Sequence, residues 1–155
     1  MTKTAPTDPI VVHATAIAID GRAVLLRGPS GAGKSDLALR LIDCGARLVA
    51  DDQVELRRAG ERVLVSAPAA IAGLIEVRGV GILRVEAVSE ATLVLLVDLV
   101  QSADVDRFPE PHCEDVLGVP APSIALSPFE ASAAAKLRLA LRAFSADSVP
   151  AIIRR

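Results

Sequence analysis

Residues 10–19 are apolar and rich in β-branched side chains, which predicts a strand. Asp20-Gly21 follows, then a second apolar run over residues 23–26. Two such runs joined by Asp-Gly predict a β-hairpin, because both central turn positions need φ > 0. Leu37, Leu41 and Cys44 then recur at helical spacing, with Gly45 placed to cap the helix C-terminus. Residues 47–50 read as a short strand ending in Asp51-Asp52, and residues 54–57 and 62–66 flank Ala59-Gly60 as a second hairpin. Residues 74–77 and 82–85 lie either side of the glycine-broken stretch Arg78-Gly79-Val80-Gly81. Residues 92–98 are a continuous apolar run of the kind buried on both faces of a sheet. The stretch 101–127, with Pro109, Pro111, Pro120 and Pro122, reads as loop. Ser127-Pro128-Phe129-Glu130 has the form of a capping box with proline at the first helical position, which predicts a helix from there to about Phe144.

These elements predict an α/β fold. The strand that leads toward the glycine-rich stretch at Gly28 is itself half of a hairpin, so the sheet should be mixed, with a large antiparallel share. Residues 1–9 are polar and proline-broken and read as a lead-in, and residues 10–155 as a single domain. At 155 residues such a chain can bury a core without disulfides or a structural metal.

Composition narrows the partners more than the fold. The net charge is −2, with acidic and basic residues mixed, so no field attracts nucleic acid or an anionic membrane. With no Trp or Tyr and three Phe, stacking platforms of the kind single-strand binders use are nearly excluded. The most apolar run, residues 93–100, contains Asp98 and is too short to span a bilayer. Cys44 and Cys113 have no evident pairing, and no secretory signal is present, which predicts a cytoplasmic protein.

The chemistry starts at Gly28-Pro29-Ser30-Gly31-Ala32-Gly33-Lys34-Ser35, a full G-x-x-x-x-G-K-[ST] phosphate loop between a predicted strand and a predicted helix. Its glycines let backbone N–H groups turn toward phosphate oxygens at a helix N-terminus. Lys34 would reach the β- and γ-phosphates of ATP, and the Ser35 hydroxyl would ligate Mg²⁺. Phosphoryl transfer also needs a carboxylate near the metal and a base for the acceptor hydroxyl. Asp51-Asp52 and Asp98 both end strands and both qualify. The adjacent pair is favoured, because like charges side by side are costly unless a cation or a raised pKa relieves them. By residue type alone His13 reads as a strand histidine, Glu76 and Arg78 as a solvated strand edge, and Arg107 as a surface arginine. His112 and Cys113 lack the spacing of a transition-metal site.

Taken together, Val12-His13, GPSGAGKS from Gly28 to Ser35, LVADD from Leu48 to Asp52 and IEVRGVGIL from Ile75 to Leu83 resemble the catalytic domain of HPr kinase/phosphorylase. The resemblance runs from about Val11 to Val100, more weakly to Arg107, and is to the short, catalytic-domain-only members. It implies a phosphoenolpyruvate carboxykinase-like fold and an ATP-dependent protein serine kinase acting on HPr, or an HPr-like carrier, of the phosphotransferase system. It implies Ser35 and Glu76 about Mg²⁺, to which the adjacent-aspartate argument adds Asp51, and it implies Asp52 as the base for the acceptor serine and His13 and Arg107 in the active site. A homo-oligomer, a hexamer, is also implied. Longer members carry an arginine-bearing segment associated with phosphorolysis. The corresponding stretch here, residues 119–128, has no arginine, so the kinase direction carries over while the reverse, phosphorolysis of the phosphoserine, stays open. The competing readings are a small-molecule kinase, against which the single arginine of residues 101–127 counts, and a nucleotide-binding switch module.

Overall fold

The computed structural model describes residues 8–145; most of the lead-in and the C-terminal ten residues lie outside that range. The expected strand over 10–19 is two strands, β1 (Ile10–His13) and β2 (Thr15–Ile19), followed by β3 (Arg22–Arg27). The Asp-Gly hairpin forms between β2 and β3, with φ of 51° at Asp20 and 76° at Gly21. Helix α1 (Lys34–Asp43) leads to β4 (Arg47–Ala50), then β5 (Gln53–Ala59) and β6 (Arg62–Ser66). A separate two-stranded ribbon, β7 (Leu74–Val77) with β8 (Gly81–Arg84), precedes the long strand β9 (Glu90–Leu99).

The main sheet has nine strands, ordered β1-β5-β6-β9-β3-β2-β4 along one path. Strand β9 lies parallel to β3 and antiparallel to β6, so the sheet is mixed, as the hairpin argument required. The ends of that path are joined through the chain itself. His13 opposes Gln53 and Ala16 opposes Ala50, so one register runs through the breaks at Ala14 and at Asp51-Asp52. The ribbon of residues 10–19 against 47–56 therefore doglegs from one end of the sheet to the other, curling it.

Two apolar clusters fill the two faces. On one side Ile17, Val24, Leu26, Leu95 and Val97 meet Leu37 and Leu41 of α1 and Leu137 and Leu141 of the second helix. On the other, Ala16, Ala18, Ala23, Leu25 and Leu96 meet Val54, Leu56, Val63 and Val65. Alternate residues of β3 thus point to opposite cores, which is why its sequence is apolar without interruption. The inner face of the curl carries alanines (14, 16, 18, 23 and 50), whose small side chains let strands from opposite parts of the sheet approach.

Two expectations fail in the C-terminal third. The stretch 101–127 is not all loop, since it contains β10 (Cys113–Val116) and β11 (Val119–Leu126). Prolines cannot donate to a ladder, which disguised β11. Pro120 and Pro122 lie where β11 pairs only with β10, and the parallel pairing with β9 begins at Ser123. The final helix, α2, is Ala133–Ser145 and does not start at Ser127. Ser127 is buried at the end of β11. Arg40 of α1 donates to the carbonyl oxygens of Pro128 and Glu130, fixing this stretch as a turn. The capping box is overridden by a tertiary contact.

Candidate active site

The phosphate loop takes the form its glycines permit. Gly31 and Gly33 have φ of 83° and 100°, a region closed to most side chains, and α1 follows directly with Leu37 N–H donating to Gly33 O at 2.9 Å. Gly28 is needed for a different reason, since a Cβ there would stand 2.9 Å from the Ala32 Cβ. Lys34 is buried, and its ammonium donates to the carbonyl oxygens of Gly28 and Pro29 at 2.6 and 2.9 Å, across the mouth of the loop.

The dogleg in the ribbon sets the carboxylates. In a regular strand Asp51 and Asp52 would point to opposite faces. Asp52 instead has φ of 71°, a left-handed conformation that aspartate tolerates better than most residues but still at a cost. The kink is held by Gln53 N–H on Asp51 O at 2.8 Å and Ala14 N–H on Asp52 O at 3.2 Å. It brings the Asp52 carboxylate to the cavity beside the phosphate loop and sets Asp51 behind the lining, on the Ser35 hydroxyl. Asp51 is buried and accepts three hydrogen bonds, from Ser35 Oγ at 2.7 Å, Thr15 Oγ1 at 3.0 Å and Glu76 N–H at 3.1 Å. One side chain therefore ties the phosphate loop to β2 and to β7. Asp52 lies at the mouth, 69% exposed, with Oδ1 at 3.2 Å from His13 Nδ1.

The cavity is about 400 Å³ and is lined by the loop, His13, Thr15, Asp52, Glu76, Arg78 and Phe129. Of the sequence candidates, His13, Lys34, Ser35, Asp52 and Glu76 line the cavity, and the buried Asp51 adjoins it through its hydrogen bonds from Ser35 and Thr15. Arg107 does not line the cavity; it is exposed, with its guanidinium 5.4 Å from the centre of the Phe108 ring. Sequence reasoning missed Thr15 and Phe129. Thr15 sits inside an apolar strand, where a β-branched residue raises no signal, and Phe129 was assigned to a helix. The donor set suits a hard cation, with the Ser35 hydroxyl and the Asp51 carboxylate in contact and the exposed Glu76 nearby. Among the described residues no cage of three or more metal-ligating side chains forms.

Asp98 has another role. Arg27, the residue before Gly28, donates to it through Nε at 2.9 Å and Nη2 at 3.1 Å, and also to both oxygens of Glu114. The Glu114 hydrogen bond, more than that of Asp98, holds the guanidinium above its already high range against the opposing effect of burial. The Arg27 hydrogen bond holds the Glu114 carboxyl below its ordinary value. Asp98 is thus neutralised by an arginine that anchors the start of the phosphate loop.

A family model described as the HPr serine kinase C-terminal domain matches residues 5–129. The HPr kinase/phosphorylase of Acidovorax sp. (strain JS42) is 40% identical over 126 residues, covering 73% of this chain and 40% of that protein. That of Exiguobacterium sp. is 51% identical over 75 residues, covering 48% of this chain and 24% of that protein. The chain thus spans less than half the length of these relatives. The solved HPr(Ser) kinase/phosphatase of Coxiella burnetii superposes with a TM-score of 0.77 at 28% identity, over 86% of this chain and 94% of that one. With the phosphate loop, the Asp51–Ser35 contact and the His13–Asp52 pair in one cavity, and a family match over most of its length, the chain belongs to the HPr serine kinase C-terminal domain family.

Proposed function

We propose that this domain is an ATP-dependent protein serine kinase that phosphorylates HPr, or an HPr-like phosphocarrier of the phosphotransferase system, in the cytoplasm. The observation that carries the reading is the Asp52–His13 pair at 3.2 Å, exposed at the mouth of a phosphate-loop cavity. A carboxylate half in solvent can be reached by a serine that protrudes from another protein.

The loop amides and Lys34 bind the triphosphate; Lys34 exchanges its carbonyl partners for phosphate oxygens. Mg²⁺, when bound by the Ser35 hydroxyl and the carboxylates of Asp51 and Glu76, supplies positive charge to the β- and γ-phosphates. Asp52 takes the proton of the acceptor serine as its oxygen forms the new bond to the γ-phosphorus and the bond to ADP breaks. His13 orients the Asp52 carboxylate. Arg107, on the exposed loop after β9, neutralises transferring charge once that loop approaches the nucleotide. The forward direction is the one the carrier assay reads, and loss of phosphate from a phosphoserine carrier on adding inorganic phosphate tests the reverse. The homo-hexamer belongs to the same reading, and light scattering on the purified protein checks it.

The test is transfer from γ-labelled ATP with Mg²⁺ to a serine of an HPr-type carrier from the same source. Asp52→Asn should lower the rate by at least about 100-fold, within the range for losing a general base. Lys34→Ala should abolish transfer, and Arg107→Ala should slow it. Bound ATP with no labelled carrier would refute the protein-kinase reading for that partner and direct the search to small-molecule acceptors.

A further inference from the structure

The chain has three phenylalanines, and one of them, Phe129, is 72% exposed while lining the phosphate-loop cavity. A singly exposed ring is ordinary, and Phe108 is exposed too; what sets Phe129 apart is its seat against the phosphate loop and the bonds that pin the backbone around it. Phe129 is held rigidly. Arg40 donates to the carbonyl oxygens on both sides of it, Pro128 through Nη2 and Glu130 through Nη1 at 3.4 Å. Arg40 is itself braced by Asp36, one turn earlier on α1, at 3.2 Å. Gly33 completes the arrangement: a Cβ there would stand 3.1 Å from the ring Cζ and 3.2 Å from Cε1. The ring therefore lies directly against the last residue of the loop before Lys34, with its remaining surface open to the cavity.

We infer that Phe129 is the nucleoside contact of this site, the surface on which the base of the bound triphosphate stacks. The inference rests on the nucleotide reading given above and extends it from the phosphates to the base. The loop and α1 hold the phosphates through amides, Lys34 and Ser35, none of which can recognise a base. Among the described residues two aromatic side chains line the cavity, and since the His13 imidazole is engaged with Asp52, Phe129, beside the aliphatic Leu39 and Val77, is the ring with an unpaired face to offer. A phenyl ring offers a π-face and no hydrogen-bonding group, so it stacks on any purine and does not read its edge. Adenine and guanine should therefore gain from it alike.

The test compares ligands that share phosphates and differ in the base. Binding of ATP, GTP and inorganic tripolyphosphate is measured by calorimetry for the wild-type chain, Phe129→Ala and Phe129→Tyr. Phe129→Ala should weaken ATP and GTP by about tenfold each, within the range seen on removing a stacked aromatic. It should leave tripolyphosphate unchanged within about twofold, and Phe129→Tyr should retain wild-type affinities, since both keep the groups that each ligand needs. An unchanged melting temperature in Phe129→Ala separates a lost contact from a disturbed turn. Equal weakening of tripolyphosphate and ATP, or no change in either, would overturn the base contact while leaving the phosphate site standing. A wild-type chain that binds none of the three ligands would overturn the nucleotide reading and this inference with it.

Discussion

Asp51 and Asp98 look alike in the sequence, each closing an apolar strand close to the phosphate loop, and the fold gives them opposite fates. Asp51 is buried among neutral donors, two hydroxyls and a backbone N–H, and makes no ion pair to a side-chain cation among the described residues. Its oxygens are fixed while its charge remains uncompensated, and that charge is what a metal ion beside Ser35 requires. Asp98 faces the guanidinium of Arg27 through two hydrogen bonds, with Ser123 Oγ at 3.4 Å as a further donor. Its charge is already cancelled, and its contribution is to hold Arg27, and through it the entrance to Gly28. The comparison teaches that the charge of the groups around a carboxylate, more than its burial or its position at a strand end, separates the proposed metal ligand from a brace.

The largest expected effect is at Asp51. Asp51→Asn keeps an oxygen that can accept from Ser35 and Thr15 and sets an amide donor against Glu76 N–H, so the charge and that one hydrogen bond are lost, and a melting temperature separates the two effects. Transfer to the carrier should fall by about 100-fold or more, as for loss of a group that stabilises transferring charge, with a raised Mg²⁺ requirement. A metal titration of the initial rate reads both effects, and full activity would erase the distinction drawn here. Asp98→Asn should do the reverse. It leaves Arg27 with Glu114 and should cost about 1 kcal/mol of stability in a denaturant titration, the upper end for a partly exposed pair. The transfer rate should stay within about threefold, since the hydrogen bonds of Asp98 go to Arg27 and Ser123, neither of which lines the cavity, whereas those of Asp51 come from Ser35 and Thr15, which do. A larger kinetic loss than that of Asp51→Asn would invert the comparison.

The smallest effect concerns acid. Because Arg27 lowers the Glu114 carboxyl below its ordinary value of 4.5, the ionised form stabilises the folded state. That contribution is complete above 4.5 and is lost as the pH falls through the lower folded value. Glu114→Gln removes it. The melting temperature of the variant should be slightly lower at neutral pH and should decline less steeply on acidification. Parallel curves for the two proteins would mean that Arg27 draws its support from Asp98 alone.

Much of this architecture was legible because its causes are local. The Asp-Gly turn, the phosphate loop, the helix after it and the unbroken apolar pattern of β3 and β9 each follow from the residues within them. So did the suspicion attached to adjacent aspartates, which cannot share a strand end without help. What misled was equally physical. Pro120 and Pro122 argue against a strand, and only the pairing of β11 with one neighbour at that point makes room for them. The capping pattern at Ser127 argues for a helix start, and a guanidinium from a helix far away in sequence takes the carbonyls of that segment instead.

By itself, then, the sequence determined that a phosphate loop would form at Gly28–Ser35 on a mixed sheet, because turn chemistry and side-chain periodicity act over a few residues. The order of the strands, the dogleg that turns Asp52 to a φ of 71° and the choice of Asp51 over Asp98 as the partner of Ser35 were decided by the tertiary structure. Those outcomes depend on which donors arrive from residues tens of positions away, Thr15 across the ribbon and Arg27 across β3 and β9, and no local pattern records them.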